Sequence, residues 1–424
     1  MRKIKNVLLL AGGDSTRFWP LENKVLFSFL GKPLILNQVE EIAPYSENIF
    51  IIAHKSNAVA IKRLIDNASL PLNVDIVIQK DDAGGQAGAI SSVKNLVKGE
   101  ALVVNANDVV DYSILEKIAA FSHEQNKLVL FGKKHNEFFS GGYFKFNNDK
   151  EVVEVVEKPK KDDLPSNVVK LVLDYVSDFS ILASAVDAVR TKKDDHYEQA
   201  LNHILKSEIK RTHLIYEGDW ETLKFSWNVL TMMKSSLAGI KKTVIAKSAK
   251  ISKKSEIQGL VVIGENVVVG DFAKIVGPTY IGDNTVIGDF SLIRESQIDE
   301  DCLVGSYTEV ARSYIGNKVF LHRNYVGDSV LSDEVTMGAQ ALTANLRFDN
   351  ETVGSYLGDD KVDTYLSKLG AIVGREVKIG VNATITPGVK IGKKTWVGPG
   401  EIVTYDLDEK TYLSGGEEKI NLNI

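Results

Sequence analysis

The chain has a single cysteine, Cys302, in 424 residues, which excludes an intrachain disulfide framework and any zinc site built from cysteines. Long apolar runs are also missing, since none approaches the roughly 20 residues that span a bilayer. The opening MRKIKNVLLLAGG has too short an apolar stretch for a secretory signal. Nor is there an excess of one charge: 51 Lys and Arg stand against 56 Asp and Glu, a formal net charge of -5. That speaks against a general nucleic-acid patch and against a membrane surface, leaving small molecules or further copies of the chain as expected partners. The expected location is the cytoplasm. A chain of this length exceeds one ordinary core, so two or three domains are expected.

Apolar strand patterns alternate with amphipathic helix patterns from Lys5 to about Leu237, as in a largely parallel α/β sheet. Strands are expected near Val7–Leu10, Ile49–Ala53, Val74–Gln79, Ala101–Asn105 and Leu128–Phe131. Helices are expected near Leu34–Ile42, Ala58–Asn67, Gln86–Val97 and Ile114–His123. Ligands of such sheets bind beyond the carboxyl ends of the strands, so the Gly12–Arg17 loop and the segments at Gln79 and Asp108 should converge.

From Ile245 the period changes to six: Ile245, Ile251, Ile257, Ile263, Val269, Ile275, Ile281, Ile287 and Ile293. After a slip of one residue it continues through Ile298, Val304 and Val310, and it returns as Val373, Ile379, Ile385, Ile391, Val397 and Val403. A period of six fits neither a helix nor a flat strand. With glycine often following the aliphatic residue, it resembles the hexapeptide repeat of a left-handed parallel β-helix, in which three short strands make one coil. The expected organisation is residues 1–237 as a Rossmann-like α/β domain, 238–242 as linker, 243–407 as β-helix and 408–424 as a loosely attached polar tail. Residues 348–365 break the repeat and read as a projecting loop.

Chemistry concentrates in LLLAGGDSTRFWPLENKVLFSFLGKPLI, residues 8–35. A buried strand runs into Gly12 and Gly13, where the backbone can turn and approach a ligand closely, and Arg17 and Lys24 follow. An arginine fork suits phosphate oxygens and a lysine supplies a mobile point charge, which together suit a polyphosphate. The segment resembles the signature of sugar-1-phosphate nucleotidylyltransferases, roughly L-A-(A/G)-G-x-G-T-R, then P-K-x-L, then G-K-P-(L/M). Leu10, Ala11, Gly12, Gly13, Thr16, Arg17, Lys24, Leu26, Gly31, Lys32, Pro33 and Leu34 fall in step, while Ser15 and Asn23 replace a glycine and a proline. The spacing from Arg17 to Lys24 looks most like the branch that makes UDP-N-acetylglucosamine.

The resemblance implies transfer of a nucleotidyl group from UTP or dTTP to a sugar 1-phosphate. Arg17 and Lys24 would be catalytic, and Ala11, Gly12 and Gly13 would cradle the nucleotide. Gln79 would read the base, whose imide edge suits an amide that donates and accepts, and Gly85 would pack beneath it. Asp108 would hold Mg²⁺, and Gly142, Glu157 and Lys158 would bind the sugar phosphate. Two family motifs are altered: the Asn-x-Gly-(I/V)-Tyr run becomes Lys170–Asp174, and Thr222 stands where a second metal-binding aspartate is expected.

The solenoid stretch LHRNYVGDSVLSDEVTMGAQALTANLRFD resembles the acetyltransferase half of bifunctional uridylyltransferase/glucosamine-1-phosphate acetyltransferases of the archaeal type. That implies acetyl-CoA as co-substrate, His322 as general base, and Arg294, Tyr325 and Asn345 around the amino-sugar phosphate. A histidine titrates in the range that freeing an amine of its proton requires. Family resemblance also implies a homotrimer assembled through the β-helix. The alternative left open is a non-catalytic nucleotide-sugar-binding or scaffold subunit with both folds retained.

Overall fold

The computed structural model describes residues 2–13, 16–80, 84–121 and 127–420. Ser15 and the expected helix end at His123 lie outside them. The chain divides into two compact units, Met1–Asp14 with Leu34–Glu221 and Ser15–Pro33 with Thr222–Ile424.

In the first unit β1 (Ile4–Ala11) is followed by α1 (Leu34–Ile42), β2 (Ser46–Ala53), α2 (Ala58–Asn67), β3 (Asn73–Ile78), α3 (Gly85–Val93), β4 (Ala101–Asn105), β5 (Asp108–Val110) and α4 (Ile114–Phe121). Then come β6 (Lys127–Lys134), β7 (Gly142–Phe146), β8 (Val152–Glu157), β9 (Val168–Val176), α5 (Phe179–Ala188), α6 (His196–Leu205) and β10 (Lys210–Ile215). The sheet order is β8-β7-β9-β4-β1-β2-β3, with β6 on β9 and β10 on β6. β1 is parallel to β4 and β2, and β2 to β3. Val7, Leu8 and Leu9 are fully buried, as a central strand covered on both faces requires. β9 runs antiparallel to β4 and β6, and β7 and β8 form an antiparallel hairpin. The sheet is thus mixed where the alternating pattern suggested a mostly parallel one, because apolar periodicity marks a buried strand without fixing its direction.

The second unit contains three parallel sheets with one short strand per coil in each. Ile263, Ile281, Ile298, Ile315, Leu331, Val373 and Ile391 stack in successive rungs of one sheet. Val269 through Leu413 do so in the second, and Ile275 through Val403 in the third, so the six-residue period is the core of a parallel β-helix. Glycine after the aliphatic residue is steric: a β-carbon on Gly264 would lie 2.2 Å from Asp283 Oδ1 and 2.9 Å from its backbone nitrogen in the next coil. Cys302 is buried in this core, where desolvation pushes its thiol up to about 12. The projecting segment forms an antiparallel hairpin, Gly354–Leu357 with Asp360–Asp363. The tail is not loosely attached. Leu407 bridges to Ile391, Thr411–Ser414 continues the second sheet beside Trp396–Val397, and Glu417–Ile420 folds back antiparallel on it. Buried Leu407 and Leu413 drive that docking, two apolar side chains among polar neighbours.

Within this unit Asp299 is buried and accepts hydrogen bonds from Gln297 Nε2 at 2.7 Å and Tyr314 Oη at 2.9 Å. Burial, assisted by the charges of Asp333 and Glu300, pushes its carboxyl up to about 7. Glu198, in the first unit, is raised to about 7 as well, by burial and then by Glu157. Folded-state values above the unfolded ones mean stability fully present below the usual carboxylate range and lost as pH rises through about 7. Thermal melts followed by circular dichroism should show Tm falling between about pH 4 and pH 7 and levelling above. Asp299→Asn should shallow that fall, and an unchanged slope would count against this assignment.

Candidate functional site

At the carboxyl end of β1, Ala11 offers its carbonyl to Asn57 Nδ2 at 3.1 Å, which ties the loop to the start of α2. Gln79 extends β3, its backbone N–H donating to Ala53 at 2.8 Å. Its side chain then crosses Gly12 and donates from Nε2 to the Gly85 carbonyl at 3.0 Å. A β-carbon on Gly12 would fall 1.9 Å from Gln79 Oε1, so only glycine lets that amide lie there. Gly85 opens α3 with φ +64°, in the left-handed region where glycine is favoured. Gly12, Gln79 and Gly85 therefore meet.

A second cluster in the same unit holds the sugar-phosphate candidates. Gly142 pairs with Glu157 across the β7–β8 hairpin, and a β-carbon on Gly142 would approach Glu157 Oε2 to 3.2 Å. Lys158 Nζ lies 3.7 Å from Glu157 Oε1 and 2.7 Å from Asp194 Oδ2. Asp194, which no sequence signal singled out, also faces Gly85, its Oδ1 lying 3.8 Å from where a β-carbon would stand. It thereby links the two clusters. An incoming phosphate would replace an exposed carboxylate as the partner of Lys158.

The altered hexose motif proves self-consistent. Lys170 Nζ and Asp174 Oδ2 form a buried pair at 2.6 Å on β9, and Tyr197 Oη donates to the same carboxylate at 2.8 Å. Burial raises the Asp174 carboxyl, opposed by Lys170. The Lys170 β-carbon stands 3.7 Å from the Gly142 β-carbon position, so the pair lies beside the sugar cluster. Leaving either charge buried alone would be strongly destabilising, which explains why both ends of the motif differ together.

Asp108 opens β5 and is largely buried. Buried Gln38 of α1 fixes this turn: Nε2 donates to the carbonyls of Ala106 at 2.7 Å and Asp108 at 2.9 Å, and Oε1 accepts from Tyr112 at 2.9 Å. Among the described residues no group of three or more His, Cys, Asp or Glu side chains could cage a metal. The Asp108 carboxylate still fits Mg²⁺, which takes one or two carboxylates together with substrate phosphates and water. Arg17 and Lys24 belong to the second unit, on single-turn helices Thr16–Phe18 and Lys24–Leu26. Asn23, in place of the signature proline, has φ 50°, which the proline ring cannot adopt.

On the β-helix, Tyr325 and Asn345 meet. Asn345 Nδ2 donates to Tyr325 Oη at 3.2 Å and to Asp328 Oδ2, and Arg312 grips Asp328 with two bonds of 2.7 Å. A β-carbon on Gly327 would clash with Tyr325 Oη at 2.6 Å and Asn345 Nδ2 at 2.7 Å. Asp328 was not singled out in the sequence, where nothing marks it from other turn aspartates. Arg294 lies one coil from this group: its carbonyl accepts from Arg312 N–H at 2.9 Å, and its guanidinium pairs with Glu309, whose partner in register on the next strand is Tyr325. His322 is exposed and its backbone N–H donates to Asn324 Oδ1.

An α/β unit with a glycine loop at a strand end, in a chain that continues as a parallel β-helix, defines a nucleotide-handling transferase architecture. Residues 6–227 match the family model described as nucleotidyl transferase, and the chain belongs to that family. Residues 239–348 match the GMPPB C-terminal domain. The chain is 31% identical over 410 residues to a bifunctional sugar-1-phosphate nucleotidylyltransferase/acetyltransferase of Sulfurisphaera tokodaii, covering 94% of this chain and 97% of that one. It is 29% identical over 426 residues to the bifunctional protein GlmU of Methanococcus vannielii, covering 98% and 99%. Among solved structures, UDP-glucose pyrophosphorylase complexed with UDP-glucose is similar over 56% of this chain and 99% of that one, at 20% identity and a TM-score of 0.47.

Proposed function

We propose that the chain transfers a nucleotidyl group from UTP or dTTP to a sugar 1-phosphate in the cytoplasm. A phosphate oxygen of the sugar phosphate attacks the α-phosphorus, the bond to the bridging oxygen breaks, and pyrophosphate leaves with that electron pair. The observation that carries this reading is the convergence of Gly12, Gln79 and Gly85 next to Asp194 and Lys158, in a chain of the nucleotidyl transferase family. Gln79 presents its amide to the base over Gly12, and Glu157 and Lys158 receive the sugar hydroxyls and phosphate. Arg17 and Lys24 meet the triphosphate charge. Asp108 holds Mg²⁺, which when bound neutralises phosphate charge.

In the same reading the β-helix acetylates an amino-sugar phosphate from acetyl-CoA. His322 takes the amine proton, the nitrogen attacks the thioester carbonyl, and CoA leaves as the thiol. Tyr325, Asn345 and Arg294 hold the acceptor, and three copies assemble through the β-helix. The hydrogen-bonded Tyr325–Asn345–Asp328–Arg312 group supports this assignment as a prebuilt polar surface.

The test is pyrophosphate release with UTP or dTTP against a panel of sugar phosphates, with CoA release followed on amino-sugar phosphates. Activity with at least one pair is expected; none with any pair would leave the non-catalytic reading. Lys158→Ala should raise KM for the sugar phosphate about 10- to 100-fold, the value of one charged hydrogen bond. Its effect on KM for the nucleotide should be small, and the reverse pattern would move Lys158 to the triphosphate.

A further inference from the structure

Segment 16–33, which carries Arg17 and Lys24, is held by side chains of the β-helix. Gln297 closes two hydrogen bonds on it, Oε1 accepting from Leu30 N–H and Nε2 donating to the Ser28 carbonyl, each at 3.0 Å. The Tyr314 ring lies 4.9 Å from that of Phe27 and 6.1 Å from that of Phe29, centroid to centroid. Asp299 orients both anchors from beneath through its bonds to Gln297 and Tyr314. Further along the coils Lys390 lies over the Trp19 ring at 5.1 Å, and Lys393 pairs with Glu22 at 2.6 Å. Tyr280 stands beneath Gly31, which has φ +76°; a β-carbon there would be 2.3 Å from its hydroxyl.

These contacts cover both ends and the middle of the segment. Gln297 and Asp299 are buried, so neither is a solvated surface residue. A buried glutamine with both amide atoms bonded to one loop fixes the position of that loop as well as its proximity, since a shift would leave the amide unsatisfied. We infer that Gln297, Tyr314 and Asp299 are positioning residues for nucleotidyl transfer, acting through Lys24, so that the β-helix is a working part of that reaction as well as a second domain. The inference rests on the role proposed above for Lys24. A displacement of about 1 Å in a group that neutralises reacting charge can cost on the order of 100-fold in rate.

The test uses the full-length protein with Gln297→Ala, Tyr314→Leu, Tyr314→Phe, Lys24→Ala and the double variant Gln297→Ala/Lys24→Ala. Gln297→Ala and Tyr314→Leu should each lower kcat for pyrophosphate release about 10- to 100-fold. They should also speed tryptic cleavage after Arg17 and Lys24, read by mass spectrometry, in protein whose melting remains cooperative. Tyr314→Phe keeps the ring contacts and should lose less. The double variant should be no slower than Lys24→Ala alone to within about 2-fold, because the anchor acts through the lysine. Wild-type kcat in Gln297→Ala and Tyr314→Leu, or losses that multiply in the double variant, would overturn the inference while leaving Lys24 its role. Wild-type turnover in Lys24→Ala would instead remove the underlying reading and the inference with it.

Discussion

Asp108→Asn is expected to lower pyrophosphate release by about 100-fold or more, with added Mg²⁺ failing to restore it. The substitution keeps the shape of the side chain but removes the charge that a small hard cation needs, and the described residues offer no cluster of carboxylates to take its place. The fold should survive, because Gln38 secures this turn through the main-chain carbonyls of Ala106 and Asp108 and not through the carboxylate. Melting curves and single-turnover rates on the same preparation separate these effects. Unchanged turnover in a folded Asp108→Asn protein would remove Asp108 from the metal site.

His322→Ala is expected to abolish acetyl transfer, a loss of at least about 100-fold for removal of a general base, while pyrophosphate release stays within about 2-fold of the parent. His322 sits on the β-helix, exposed, and its bond to Asn324 Oδ1 comes from the backbone N–H, which survives replacement of the ring. Glucosamine 1-phosphate, galactosamine 1-phosphate and other amino-sugar phosphates should be assayed side by side. Arg312 is committed to Asp328 by two hydrogen bonds of 2.7 Å. Acetylation that persists in His322→Ala would place the base elsewhere, and parallel loss of both activities would mean the two sites are not independent.

Much of this architecture was legible in the chain. The six-residue recurrence from Ile245 marks the β-helix core because only side chains that face inward from each short strand must be aliphatic; from Ile263 onward those residues are the buried stack, with Ile251 and Ile257 packed against it and Ile245 exposed at its end. The helices Leu34–Ile42 and Ala58–Asn67 and the strand Ala101–Asn105 lie where their apolar spacing placed them. The direction of β9 and the docking of the tail were not legible. Strand direction depends on which partner completes its hydrogen bonds, and a single buried leucine, Leu413, in a polar tail carries too weak a pattern to announce burial.

The sequence by itself determined the order of the two folds, the glycine loop after the first strand and the charged residues following it. Those are local facts, fixed by backbone freedom, apolar period and spacing along the chain. Tertiary structure alone decided that Asp194 partners Lys158, that Lys170 and Asp174 form a buried pair, and that Gln297 grips Leu30 from 267 residues away. Each depends on groups that meet only after the sheet and the coils have formed. The cost of an unsatisfied buried amide or charge then selects the partner, and that cost does not exist in the unfolded chain, where water satisfies every polar group.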